Sequence, residues 1–224
     1  MQHNTQASSA TELGPSEAVK WSVALLIALC LTLGSTVYVY IVFGTVGTFM
    51  SWSFISAAVA SLLFATSFSV SSVSYYTGFP NVRHGYQKHI GVLGFWVSLF
   101  YSLTLLVLYP ETYWYGLRDN FLTADVLFGL TAMVIFGAMV LINSKPIAPY
   151  FSWNTIRFVL GLGYLGYALL VMRAVFIEWN LWEAWLTTFE GFPPGRLVLS
   201  VIAIGVLSLR LSIPIHKALT AKPN

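Results

Sequence analysis

Apolar residues in this chain occur in long blocks, and short polar segments with most of the charges separate them. Each block is about 20 residues long, enough for an α-helix to cross about 30 Å of hydrocarbon. The alternation of polar and apolar positions that is typical of membrane barrels is not seen. The pattern predicts six helical spans, at approximately Trp21–Val46, Ser51–Tyr75, His89–Leu108, Ala124–Ile142, Trp153–Phe176 and Arg196–Ile213.

Composition agrees with this interpretation. Hydrophobic residues make up 57% of the chain and charged residues only 8%, and the mean hydropathy is +0.76. Soluble domains contain about a quarter charged residues, so this chain lacks the surface of a water-soluble protein. We predict an all-α, polytopic membrane protein, a bundle of six transmembrane helices in a plasma or inner membrane. Its basic residues are scattered, which predicts no nucleic-acid partner.

The polar ends of the chain are predicted to lie outside this bundle. Residues 1–19 are polar and aperiodic, as in a disordered tail, and residues 216–224 form a second short tail. The transmembrane domain then covers residues 20–215. The apolar run after Lys20 is about 24 residues long, too long for a signal peptide, so the first span is predicted to be retained as an anchor.

Basic residues predict the orientation of the bundle. With the N-terminus in the cytoplasm, eight basic residues fall on the cytoplasmic side and three fall outside. The cytoplasmic set is Lys20, Arg83, Lys88, Lys145, Arg157, Arg210, Lys217 and Lys222, and the external set is Arg118, Arg173 and Arg196. Loops rich in lysine and arginine stay in the cytoplasm. We therefore predict that both termini are cytoplasmic.

Tryptophan is concentrated in the connection between the fifth and sixth spans, "EWNLWEAWLTTFEGFPPG". Trp182, Trp185, Leu186 and Phe189 share one helical face, opposite Glu183 and Glu190. Tryptophan prefers the headgroup level of a bilayer, where a short amphipathic helix can lie. The pattern favours such an interfacial belt over a binding surface.

Small residues single out two spans as central. The second span is rich in alanine and serine, and the fifth contains "GLGYLGYA". Small side chains let membrane helices approach closely. The second and fifth spans are therefore predicted to be the main packing elements.

Arg173 and Asp125 are ionisable residues at the outer ends of two spans. Charges within a membrane are costly and usually have a partner. The sequence predicts a structural ion pair between them. The alternative, equally open at this stage, is that Arg173 extends to the outer headgroups.

Three histidines are candidates for a ligand site. His84 and His89 lie in "NVRHGYQKHIGVLGF" before the third span, and His216 follows the sixth, all on the predicted cytoplasmic side. Imidazole is the commonest metal ligand, and Cys30 alone cannot build a cysteine site. However, His84 and His89 are five residues apart, on different faces of a helix. Because the surroundings are basic, we favour histidines that anchor the helix end and predict no metal site.

Two segments, "R…KHIGVLGF" and "SWNTIRFVLGLGY", occur together with the six predicted spans and the cytoplasmic termini. In these features the chain resembles the ferric reductase-like transmembrane domain. The resemblance covers about Ser51 to Phe176. It implies a bundle in which histidines on facing helices hold haem b and electrons cross the bilayer. The positions that match the expected ligands are Tyr101, Arg157 and Leu170. Arginine and leucine cannot ligate iron, and tyrosine alone implies different chemistry.

The resemblance therefore implies the fold more than the activity. Our main hypothesis is a haem-free membrane anchor, partner or assembly factor of a redox system, with the bilayer and a redox protein as partners. A first alternative is a haem b electron-transfer subunit that uses displaced histidines, drawn from His84, His89 and His216. A second is a small-solute transporter. Catalytic residues, and whether the protein is an enzyme, stay open.

Overall fold

The computed structural model of the chain describes residues 16–44, 46–78, 82–111, 118–119 and 123–220; within them, the side chains at 49–50, 82–84 and 125 are outside the description. The described ranges are helical and contain no strand. The main helices are α1 (Glu17–Phe43), α2 (Phe49–Thr77), α3 (Val82–Leu108), α4 (Ala124–Ile142), α5 (Trp153–Thr188) and α6 (Gly195–Thr220), with a 3₁₀ turn at Ala148–Tyr150.

Most of these helices have the length and composition of membrane spans. Within the described ranges, five (α1, α2, α3, α5 and α6) are long and apolar enough to cross a membrane, and α4 contains a shorter apolar helix at Val126–Ile142. The protein is therefore an all-helical, multi-pass membrane protein.

Local hydrogen bonds fix where several helices begin and end. Ser16, Thr48 and Ser152 accept a backbone N–H in the first turns of α1, α2 and α5. Such caps satisfy donors that have no partner within the helix. α1 and α2 end at Gly44 and Gly78, which adopt φ values of 70° and 71°. Glycine suits these left-handed positions because it has no Cβ atom. α1 thus begins inside the segment that was predicted to be a tail.

The aromatic connection after the fifth predicted span is a continuation of α5. This helix has 36 residues, about 54 Å at 1.5 Å per residue. The prediction of a separate amphipathic helix was wrong, because no glycine or proline interrupts the chain between Gly166 and Gly191. Trp182 is buried, whereas Leu186 and Phe189 are exposed.

α6 also continues beyond its predicted end. The sixth span was predicted to end at Ile213, just before Pro214, but α6 runs through this proline to Thr220. Proline has no N–H for the Arg210 carbonyl four residues earlier, and membrane helices tolerate this loss. The C-terminal tail predicted from residue 216 therefore starts as helix, and residues 221–224 lie outside the described ranges.

α2 occupies the centre of the bundle, as its small residues predicted. It packs against α1, α3 and α6, and α4 packs mainly against α5. One core cluster, including Phe64, Phe68, Phe136 and Tyr167, joins α2 to α4, α5 and α6. A second joins α1, α2 and α3.

The fifth span is less central than its glycines suggested. Gly163 and Gly166 face close neighbours on α4, but Gly161 has no side chain or distant backbone within 4 Å of its Cβ position. α5 reaches α2 through aromatic side chains, including Tyr167, whose hydroxyl donates to the Ser61 carbonyl at 3.2 Å.

Candidate functional site

His89 lies in the interface between α1 and α3, where both of its ring nitrogens face oxygen atoms. Nδ1 is 2.8 Å from the Gly85 carbonyl oxygen, and Nε2 is 2.9 Å from Glu17 Oε2. The residue is only 5% exposed. Trp21 packs edge-on against the imidazole ring, with the ring centroids 5.0 Å apart. To bind a metal or haem iron, His89 would have to offer the lone pair of a ring nitrogen. The metal would then have to displace one of these oxygen partners.

Glu17 connects His89 to Lys20. Lys20 Nζ donates to Glu17 Oε1 at 2.8 Å, while His89 lies at the other carboxylate oxygen. The aliphatic part of Lys20 lies over Gly85, 3.5 Å from the position of a Cβ there. The three side chains therefore tie the first turn of α1 to the first turns of α3.

Lys88, next to His89, ties the same end of α3 to α4. Its Nζ donates to the carbonyl oxygen of Asn143, the C-terminal cap residue of α4, at 2.6 Å. Backbone carbonyls at a helix C-terminus have no helical partner and attract cations. Near the start of α3, Lys88 and His89 thus contact two other helices, α4 and α1.

His216 lies in a different environment, between α6 and the end of α2. Its Nδ1 is 3.2 Å from the Tyr75 hydroxyl, and its ring packs against both Tyr75 and Tyr76. His89 and His216 thus have partners on different helices. The side chain of His84 lies outside the described part of the chain. Among the described residues, no group of three or more His, Cys, Asp or Glu side chains could hold a metal.

The ferric reductase-like family, which the sequence resembles, holds haem with two histidines. The matching positions in this chain do not supply another pair of iron ligands. Arg157 is exposed near the start of α5, and Leu170 packs against the aromatic core cluster. Tyr101 lies in α3 and is half-buried. None of these positions carries an imidazole, and His89 already has two oxygen partners. The described residues therefore do not fit a haem held by two histidines.

Arg173 lies against α4 at Gly129. The Arg173 Nε atom is 3.0 Å, and its Cδ atom 3.2 Å, from the position of a Cβ on Gly129. A side chain in place of Gly129 would require the Arg173 side chain to move by a few tenths of an ångström. Asp125 lies one turn earlier in the same helix, but its side chain is outside the described part of the chain. The ion pair between Asp125 and Arg173 stays a prediction.

We expect Arg173 and Asp125 to be energetically coupled. Neutralising either one should lower the free energy of unfolding by about 1–3 kcal/mol, because a charge near the membrane loses its partner. The exchanged double variant, Asp125→Arg with Arg173→Asp, should recover part of the loss, measured as folded yield and unfolding midpoint in detergent. Strict additivity of the two single effects would exclude the pair.

Two polar clusters escaped the sequence analysis. At the end of the bundle where α6 begins, Arg196 Nη1 pairs with Glu178 Oε1 at 3.1 Å, and Tyr38 donates to the Pro193 carbonyl at 2.6 Å. At the other end, Arg210 lies among α2, α5 and α6. The sequence did contain an indication of the second cluster, because the basic residue Arg210 lies inside the sixth apolar block.

The fold and these contacts define a polytopic helical membrane protein in which polar side chains tie the helix ends together. Comparison with known proteins finds no family model that matches this chain and no curated protein that is similar to it.

Proposed function

We propose that this protein is a haem-free, six-span membrane protein with both termini in the cytoplasm, acting as the anchor, partner or assembly factor of a redox system. The orientation rests on the distribution of basic residues. The redox system rests on the resemblance to the ferric reductase-like transmembrane domain alone. The proposal that the protein is haem-free rests on the contacts of the His89 side chain.

The contacts of both His89 ring nitrogens with oxygen atoms are the observation that carries this proposal. His89 is the histidine within the segment "KHIGVLGF" that carries the resemblance, yet its imidazole contacts Gly85 and Glu17 at hydrogen-bonding distances. A charged partner on α1 gives His89 a structural role, because it fixes the N-terminal span to the bundle. This structural role of His89 supports a bundle in which the imidazole is not used as a haem ligand.

Protein purified from haem-supplemented cells should show no stoichiometric Soret absorbance and no reducible b-type spectrum. The spectrum of His89→Ala should be the same as that of the unchanged protein. The measurement is the absorbance of the oxidised and dithionite-reduced forms, together with haem content per chain. A b-type cytochrome produced in the same cells controls for haem supply. One haem per chain, lost in His89→Ala, would place the protein in the electron-transfer class.

Fusion reporters test the orientation. A reporter after Asn224 should be active as a cytoplasmic fusion, and one inserted between Glu111 and Arg118 should be active as an external fusion. The reason is the excess of basic residues on the predicted cytoplasmic side. The insertion segment, residues 112–117, lies outside the described ranges. External activity of the C-terminal fusion would refute the predicted topology.

Capture from native membranes tests the partnership. We expect the tagged protein to retain a flavin- or molybdenum-containing oxidoreductase after mild solubilisation. Flavin fluorescence and molybdenum content of the eluate are the measurements, and an unrelated tagged membrane protein is the control. An eluate with neither cofactor above the control would contradict the redox role and leave the fold unaffected.

A further inference from the structure

Arg210 is a basic residue of α6 that lies between two other helices without a carboxylate partner. Its Nη1 is 3.5 Å from Ser71 Oγ on α2, and its guanidinium carbon lies 5.1 Å from the ring centroid of Tyr164 on α5. None of the ion pairs between described side chains includes Arg210. A hydroxyl and an aromatic face orient the guanidinium but do not neutralise it.

Two further nitrogen donors lie nearer the C-terminus of α6. Lys217 Nζ is 5.4 Å from the ring centroid of Tyr75. His216 uses Nδ1 toward the Tyr75 hydroxyl, 3.2 Å away. Within the described residues, Lys217 also makes no ion pair. The α2 and α6 ends therefore bring together positive charge that the described acidic side chains leave uncompensated.

Arg210 and Lys217 contact α2 at neighbouring turns, so one phosphate group can lie between them. Arg210 contacts α2 at Ser71 and Lys217 contacts it at Tyr75. Ser71 and Tyr75 are one turn of α2 apart, about 6 Å along its axis. A phosphate accepts charge-assisted hydrogen bonds of about 2.8 Å on several oxygens. A phosphate placed between these two contacts on α2 can accept from both side chains, because arginine and lysine have long, flexible stems.

The depth of Arg210 favours a lipid as the source of that phosphate. Arg196 begins α6 at one end of the bundle, and Arg210 lies 14 residues further along the helix, about 21 Å at 1.5 Å per residue. The hydrocarbon layer is about 30 Å thick, so Arg210 lies within reach of the opposite headgroups. A lipid headgroup can meet Arg210 and Lys217 from the membrane side.

We propose that Arg210, Lys217 and His216 form a binding site for the phosphate of an anionic phospholipid, in the leaflet at the C-terminal ends of α2 and α6. The headgroup neutralises Arg210, and the tyrosines of α2 hold Lys217 and His216 beside it. The proposal is independent of the haem-free role and of the orientation of the bundle, because it needs only the contacts between α2, α5 and α6.

Lipid titration of the purified full chain, followed by native mass spectrometry, tests this site. Phosphatidylglycerol should bind more tightly than phosphatidylcholine. Arg210→Gln should weaken phosphatidylglycerol binding about fivefold, the change expected for one basic group at an anionic surface. Arg157→Gln is the matched control, because Arg157 is an exposed arginine at the same end of the bundle. Phosphatidylglycerol should bind to Arg157→Gln as tightly as to the unchanged protein.

Three outcomes would overturn the proposal. Equal losses in Arg210→Gln and Arg157→Gln would indicate diffuse attraction to headgroups. No preference for phosphatidylglycerol would exclude an anionic site. Displacement of the lipid by inorganic phosphate at similar concentration would assign the site to a soluble phosphate. If Arg210→Gln does not fold, Lys217→Gln replaces it, because Lys217 is exposed, and the same fivefold loss is required.

Discussion

Replacing Phe136 by alanine should lower the free energy of unfolding by about 2–4 kcal/mol. Phe136 is 1% exposed and lies between α2 and α5. Its ring stacks on Phe64, with the centroids 4.2 Å apart, and packs against Phe68. Buried phenylalanine truncations in soluble proteins cost about 3–5 kcal/mol. In a bilayer the hydrophobic driving force between helices is lost, while the cost of the cavity remains.

Phe100→Ala is the control for this prediction. Phe100 loses the same atoms but is 74% exposed on α3, so its truncation leaves no internal cavity and should cost less than about 0.5 kcal/mol. The measurement is reversible unfolding in mixed micelles, followed by circular dichroism. Similar losses in the two variants would show that the aromatic cluster of α2, α4 and α5 is not the core of the bundle.

The sequence predicts the ends of a helix well where they coincide with the limits of an apolar block. α4 begins at Ala124 and ends at Ile142, as its apolar block indicated. α5 and α6 extend beyond their apolar blocks, and there hydropathy contains no information about where a helix ends. Local breakers determine those ends, and Pro214 shows that one proline is not sufficient.

The partners of the candidate site were harder to predict than its residues. His89 was identified from the sequence, but its contact with Glu17 joins residues 72 positions apart. Spacing along the chain cannot show that α1 lies beside α3. Glu17 itself gave a signal, since it is the acidic residue next to the first apolar block, three residues before Lys20. Arg210 was counted for topology, but its contacts with Ser71 and Tyr164 depend on the packing of three helices.

Close packing between α4 and α5 depends on particular glycines of "GLGYLGYA" rather than on the whole motif. A Cβ on Gly166 would lie 3.1 Å from Phe136 Cε1 and 3.2 Å from Ile135 Cγ2. A Cβ on Gly163 would lie 2.5 Å from Met139 Sδ, the flexible part of a side chain that can move away. Gly161, in the same helix, meets nothing within 4 Å. A Cβ on Gly163 would also lie 3.0 Å from Phe68 Cε1. Gly163 and Gly166 are therefore both positions at which a side chain has little room, and at Gly166 the neighbours are an aromatic ring and a branched side chain rather than a flexible methionine.

We expect Gly166→Leu to lower the free energy of unfolding by about 1–3 kcal/mol, the usual cost of overpacking a core. Gly161→Leu is the matched control, because both changes remove the same helix-breaking residue. That removal alone should stabilise a helix by up to about 1 kcal/mol, so Gly161→Leu should be neutral or slightly stabilising. Unfolding midpoints of both variants in mixed micelles provide the comparison. Equal midpoints would show that α4 and α5 do not approach each other at Gly166, since only a close contact distinguishes the two sites.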